Sequence, residues 1–187
     1  MAGLLSGCCA SRPAAPAQPA ATPAPTLAAQ APATESSPTA ALKLASPAFE
    51  DQGPIPARYT CDGENVSPPL QWGPTPPGTR SWVLIMDDPD APGGVWDHWI
   101  VYDIPAQVTQ LAEGQTPPGR QGRNSWGHAY YEGPCPPPGP AHRYVFRLFA
   151  LDVPSLGLPE AASKAQVLAA MEGHVLSQAQ LIGTYGR

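Results

Sequence analysis

Between Ser81 and Asp87 the chain reads Ser-Trp-Val-Leu-Ile-Met-Asp, five consecutive apolar residues closed at both ends by polar ones. A run so short, rich in aromatic and β-branched side chains, reads as a core strand, because a helix that buries itself needs about ten residues or more. Two further runs, from His98 to Asp103 and from His142 to Leu151, each open with a histidine and continue as strand. Elsewhere Leu42-Lys43-Leu44 alternates as a first strand, and Pro54, Pro56 and Pro68-Pro69 break the next stretch of chain into turns and short extended pieces. Short strands between Gly/Pro loops predict a mainly β fold, an antiparallel two-sheet β-sandwich. A helix is expected near the end, with Ser163 as cap, Gln166 three residues later as in a capping box, Val167, Leu168 and Met171 as one apolar face, and Gly173 as the stop. A second short helix is expected from His174 to Ala179.

The chemistry-bearing residues sit at the ends of these strands, where loops build sites. They are Asp88-Pro89-Asp90-Ala91-Pro92, then Trp96-Asp97-His98-Trp99, and later Gly133-Pro134-Cys135-Pro136-Pro137 with His142-Arg143-Tyr144. Side chains two apart in a strand share a face, so His142 and Tyr144 point one way and Arg143 the other, while His98 aligns with Ile100 and Tyr102. Two histidines and an acid can therefore converge. Arg143 and Arg147 are expected to be solvated or paired with acids, Trp72, Trp82 and Trp99 to lie in the core, and Trp126 in the core or at a pocket rim.

These clusters resemble the phosphatidylethanolamine-binding protein family in its bacterial, Raf kinase inhibitor-like branch. The resemblance runs from Tyr59-Thr-Cys-Asp-Gly-Glu-Asn-Val-Ser-Pro-Pro-Leu-Gln-Trp72 through the three clusters above and Asn124-Ser-Trp-Gly127 to Leu181-Ile-Gly-Thr-Tyr185. It implies two antiparallel sheets in Greek-key order with few helices. It also implies an anion pocket on Asp88, His98, Pro136, His142 and Tyr144, lined or shaped by Asp90, Trp96 and Gly133. Two imidazoles can donate to phosphate oxygens, and an aspartate accepting from the far nitrogen of one ring would orient it, which is the role expected of Asp88. Gly133 would let backbone approach a ligand, and the prolines up to Gly139 would make a rigid rim. Asp90 is read either as ligand contact or as the holder of its own turn, and His128 and His174 as ordinary surface residues. Tyr130-Tyr131-Glu132 departs from the family's glycine-rich approach and would bring bulk and negative charge toward the pocket mouth.

A net charge of −5 with ten Lys plus Arg argues against a nucleic-acid surface or a polybasic membrane patch. Residues 1–41 read as a lipobox-like start followed by a Pro/Ala-rich tether, and residues 42–187 as the family-like domain. Leu5-Ser6-Gly7-Cys8 resembles a bacterial lipobox with Cys8 as the acylated residue. An export signal also needs a charged start and an apolar stretch of about 7 to 15 residues, which Met1 to Leu4 do not supply, so that reading requires upstream residues. It would place the protein in the cell envelope or on the periplasmic face, attached to a membrane only through Cys8; the alternative is a cytoplasmic protein with a tail. In an oxidising compartment Cys61 and Cys135, both in loops beside the site, are candidates for a disulfide. The absence of Cys-x-x-Cys in the sequence removes the structural-zinc and thioredoxin-like readings.

The function expected is a binding module for a small anionic or phosphorylated ligand, able to modulate a protein partner not identified by sequence, with no cofactor, metal or catalytic residue assigned. The alternatives are a hydrolase using Cys135 or a water activated by His142, a metal site built from Asp88, Asp90, His98 and His142, and an envelope-tethered protein acting through its surface. The lipoprotein reading has a direct test. Radiolabelled palmitate is expected to enter the chain expressed with its upstream codons and not its Cys8→Ala variant; labelling of neither overturns it.

Overall fold

The computed structural model describes residues 41–187, so the tether and the candidate lipidation residue Cys8 lie outside the described residues. In chain order the elements are β1 (Lys43–Ala45), β2 (Gly53–Pro54), β3 (Leu70–Gly73), β4 (Ser81–Asp88), β5 (Trp96–Pro105), β6 (Gln110–Leu111), β7 (Arg120–Gln121), β8 (His142–Leu151), the helix α1 (Lys164–Met171) and β9 (Val175–Tyr185). They form a three-stranded sheet, β1-β3-β6, and a six-stranded sheet, β2-β9-β8-β4-β5-β7.

The apolar run becomes β4, held between β8 and β5 by antiparallel ladders. All eight of its residues are buried, because it has apolar layers on both faces. Trp82, Leu84 and Met86 join Val101, Phe146 and Leu148 in a core shared with Leu44, Leu70, Trp72 and Leu111 of the smaller sheet. Val83 and Ile85 point the other way and pack with Ile100, Tyr102 and Phe149 beneath Val167 and Met171 of α1. Full burial of a side chain of this size contributes about 1.5–3 kcal/mol, so exposing β4 would cost the fold several such contributions at once.

Three expectations are corrected. The sheets are not wholly antiparallel, since β2 runs parallel to β9 with Gly53 opposite Gly183. The second helix does not form. Residues from Val175 onward extend as β9, which pairs with β8 from Val175 opposite Leu151 to Tyr185 opposite His142. A six-residue helix closes few hydrogen bonds for its nucleation cost, whereas β8 offers a full edge of backbone donors and acceptors. Leu168 is 42% exposed; Val167 and Met171, four apart, share the inward face, and Leu168 is rotated off it.

The helix start follows the sequence closely. Ser163 Oγ accepts from the Gln166 amide, and the Gln166 side chain accepts from the Ser163 amide at 2.9 Å. Ser163→Ala is expected to lower unfolding free energy by about 1 kcal/mol, read from the urea midpoint, and an unchanged midpoint would show that the cap contributes nothing to holding α1 against the second core layer.

Candidate functional site

The last two residues of β4 divide between the faces of the sheet. Asp87 points to the helix side, where Arg147 and Lys164 reach its Oδ2 at 2.6 and 2.7 Å. Asp88 points to the opposite side and is 3% exposed. Its Oδ1 accepts from the Asp90 amide at 2.8 Å, and its Oδ2 takes the Nδ1 proton of His142 at 2.7 Å. Asp88 therefore meets His142 at the ring nitrogen Nδ1, the placement that an orienting role would need.

His98 reaches the same side by a different route. Opposite β4, Met86 faces Trp99 and Asp87 faces Asp97, leaving His98 as the extra residue of a bulge. The simple two-residue alternation would group His98 with Ile100 and Tyr102, and that expectation fails: those two lie in the helix-side layer, whereas the His98 ring packs edge-on against Tyr144 at 5.2 Å and Trp126 at 5.0 Å. Its Nδ1 donates to the Glu132 carbonyl at 2.7 Å. Burial, the largest influence, holds the His98 imidazole below its ordinary pKa, although the Glu132 carbonyl and the Asp88 charge pull the other way.

Between these groups lies a cavity of about 320 Å³. Asp88, His98, His142 and Tyr144 make its polar wall; Trp96, Trp126, Pro136, Pro137 and the turn at Ala91 to Gly93 make its apolar one, with Cys135 at the boundary. Tyr144 is fully buried, and among the described residues its hydroxyl has no hydrogen bond of ordinary geometry, although the Cys135 backbone and the Asp88 carboxylate come close enough to influence its ionisation. Burial first, then the charge of Asp88, pushes its ionisation well above the ordinary tyrosine value, so the group stays a neutral donor. An unpaired buried hydroxyl costs about 1–3 kcal/mol.

Two expected site residues stand outside the cavity lining. Asp90 neither touches the cavity nor holds its own turn: its carboxylate takes Nε and NH2 of Arg143 at 2.9 and 2.7 Å, as well as the Arg143 amide at 2.9 Å. The Arg143 bonds hold its carboxyl down to about 2. Gly133 does approach backbone closely, but the backbone is the protein's own, since a Cβ there would lie 2.1 Å from the Tyr59 carbonyl oxygen. The Glu132 carboxylate does not line the cavity either; it is engaged by Asn124 Nδ2 and His128 Nδ1 at 3.1 and 3.2 Å, and it is the Glu132 carbonyl that meets His98. No side-chain pattern could reveal a carbonyl's role. Trp126, open between core and rim on sequence, is a rim residue 40% exposed, stacked edge-on to Trp96 at 5.3 Å.

Cys61 and Cys135 are joined, with their Cα atoms 5.4 Å apart. In this form Cys135 has no thiol to act as the nucleophile of a hydrolase. The link spans 74 residues, and closing a loop of that size is worth about 4 kcal/mol in the chain-entropy model. Asp88 and Asp90 have their oxygens already engaged by His142, Arg143 and backbone amides, an arrangement unlike a set of acids waiting for a metal.

Residues 45–186 match the family model described as phosphatidylethanolamine-binding protein. The chain belongs to the phosphatidylethanolamine-binding protein family. A UPF0098 protein of Methanothermobacter thermautotrophicus is 54% identical over 152 residues, 78% of this chain and 99% of the relative. A Mycobacterium tuberculosis protein that carries a lipoprotein name, LppC, is 44% identical over 146 residues, 77% of this chain and 72% of its own. Among solved structures, the Chlamydia trachomatis phosphatidylethanolamine-binding protein homologue CT736 superposes with a TM-score of 0.76 at 44% identity, covering 79% of this chain and 98% of that one. Escherichia coli YbcL gives 0.74 at 32% identity, covering 79% and 99%. The fold is therefore this family's ligand-binding fold, mainly β with two sheets and one α-helix among the described residues, and the family's proteins are generally binding proteins.

Gly133→Ala separates structure from binding at this position. The clash with the Tyr59 carbonyl is expected to cost about 1–3 kcal/mol of stability, measured by urea unfolding; a variant of native stability that loses ligand would return Gly133 to the binding surface.

Proposed function

We propose that the cavity binds a small phosphorylated or otherwise anionic ligand, held by His98, His142 and Tyr144. The observation that carries this reading is the buried Tyr144 hydroxyl, a donor without a well-formed hydrogen bond among the described residues, beside two imidazoles in one cavity. Both rings already use Nδ1 as donor, to the Glu132 carbonyl and to Asp88, so the neutral forms present only a lone pair at Nε2. Each can donate to an anion only as imidazolium. Binding is then coupled to proton uptake at His98, whose charged form burial disfavours in the free protein. The apolar wall of Trp96, Trp126 and Pro137 favours an anion that carries a small organic group over a bare ion. The lipobox-like segment at Cys8 and the lipoprotein name of the mycobacterial relative support placing this binding domain at the cell envelope on a lipid anchor.

The pH sign follows from His98. In the free protein burial keeps its pKa below the ordinary value, and a bound anion raises it, so the complex holds more protons. Affinity therefore increases as pH falls through the bound-state pKa and levels off below the free-state one. Titration calorimetry with sulfate, whose charge is constant over this range, and with phosphoethanolamine is expected to show tighter binding at pH 6 than at pH 8 and a heat that depends on the buffer's ionisation enthalpy. Loss of a charge-assisted hydrogen bond costs about 1.5–3 kcal/mol, so His98→Ala and His142→Ala are each expected to weaken binding ten- to a hundredfold at about that cost. Tyr144→Phe discriminates best. It removes a neutral donor and is expected to weaken binding about threefold to tenfold while holding or raising the melting temperature, because an unpaired buried hydroxyl goes with it. Wild-type affinity in all three variants would move the site elsewhere.

A further inference from the structure

The cavity wall contains a covalent bond whose two ends have unlike surroundings. Cys61 and Cys135 are both exposed, and exposed disulfides are open to attack by thiolates. On one side, Arg187 NH1 lies 3.8 Å from Cys135 Sγ. On the other, Cys61 is followed by Asp62, whose carboxylate takes Arg187 NH2 at 3.1 Å and the Tyr185 hydroxyl at 2.7 Å. Exchange runs faster through the sulfur that leaves as the better-stabilised thiolate. A thiolate on Cys135 has a guanidinium beside it, whereas one on Cys61 has a carboxylate as its neighbour in the chain.

We propose that Cys61–Cys135 is a thiol–disulfide exchange site for a low-molecular-weight thiol, attacked at Cys61 with Cys135 as the leaving thiolate, and that opening it weakens anion binding in the cavity. In the first step the incoming thiolate forms an S–S bond to Cys61 Sγ, and the electron pair of the Cys61–Cys135 bond leaves on Cys135 Sγ. A second thiolate attacks the sulfur of the small thiol already attached, forming the small-molecule disulfide and releasing Cys61 as thiolate; two protein thiols are gained and two small thiols are oxidised. Hydrogen bonds keep the rim near its place after the bond opens, since the Cys61 amide donates to the Pro134 carbonyl at 3.1 Å and the Gly133 amide to Asn65 Oδ1 at 2.8 Å. The change is one of charge: Cys135 lines the cavity, and its thiolate stands in the same wall as His98 and His142. The coupling to affinity rests on the anion-binding reading; the direction of exchange does not.

The experiment treats the oxidised full chain briefly with glutathione at pH 8, blocks free thiols with iodoacetamide, and locates both groups by peptide mass spectrometry, reading peptides with Cys8 and Cys9 separately. Glutathione is expected mainly on Cys61 and the alkyl group mainly on Cys135. Arg187→Gln is expected to slow exchange about threefold or more and to even out the distribution. Equal or reversed labelling in the wild type, or no effect of Arg187→Gln, overturns the proposed direction. Sulfate affinity is then compared at pH 8 between oxidised protein and reduced protein shown to be folded by its melting curve. Reduced protein is expected to bind more weakly in proportion to its thiolate fraction, reaching about fivefold where Cys135 is fully thiolate, the effect of one unit charge several ångströms away in a partly hydrated cavity, and the Cys61→Ser, Cys135→Ser double variant, which carries no thiolate, to bind close to the oxidised form. Equal affinity in the oxidised and reduced forms overturns the coupling. If the oxidised protein binds no sulfate at all, the anion reading fails and the labelling pattern still decides the direction of exchange.

Discussion

Complete burial of β4 is the constraint on which the rest of this structure depends. A strand with apolar side chains on both faces is stable only when each face has its own layer, and the protein supplies the smaller sheet on one side and α1 on the other. The strand ends in two adjacent acids, Asp87 and Asp88, which must also be buried. A buried carboxylate persists only where donors or cations meet it. Asp87 finds Arg147 and Lys164 on the helix side, and Asp88 finds His142 and the Asp90 amide on the cavity side. The demand of one strand for partners thus places an ion network on one face and a candidate binding site on the other.

The two histidines of that site are not equivalent. His142 meets a carboxylate through its Nδ1; His98 rests on a carbonyl and aromatic edges, and its charge is disfavoured by burial. The segment whose Glu132 carbonyl meets His98 is anchored by the Glu132 side chain's bonds to Asn124 and His128. The disulfide completes the rim by tying the Cys61 loop to the proline segment.

Several features were legible in the sequence because they are local. The core run of β4, the capping box of α1, the strand that begins at His142 and the outward-facing Arg143 each depend on residues within a few positions of one another. The features that were misread depend on distant chain. Residues after His174 are a strand only because β8 is there to pair with. Contacts with distant chain were equally illegible: Asp90 pairs with Arg143, 53 positions away, and Tyr59 passes against Gly133.

The sequence by itself determined that this chain would be a mainly β domain of one recognisable family, with acids and imidazoles at strand ends, since alternation, turn residues and motif order are properties of the chain alone. Only the tertiary structure decided that His98 faces His142 and Tyr144. Strict alternation sends it to the helix side with Ile100 and Tyr102, and the bulge that turns it back exists only in the pairing of β5 with β4, where Met86 meets Trp99 and Asp87 meets Asp97. A bulge is a mismatch between two strands, and one strand's sequence cannot contain it.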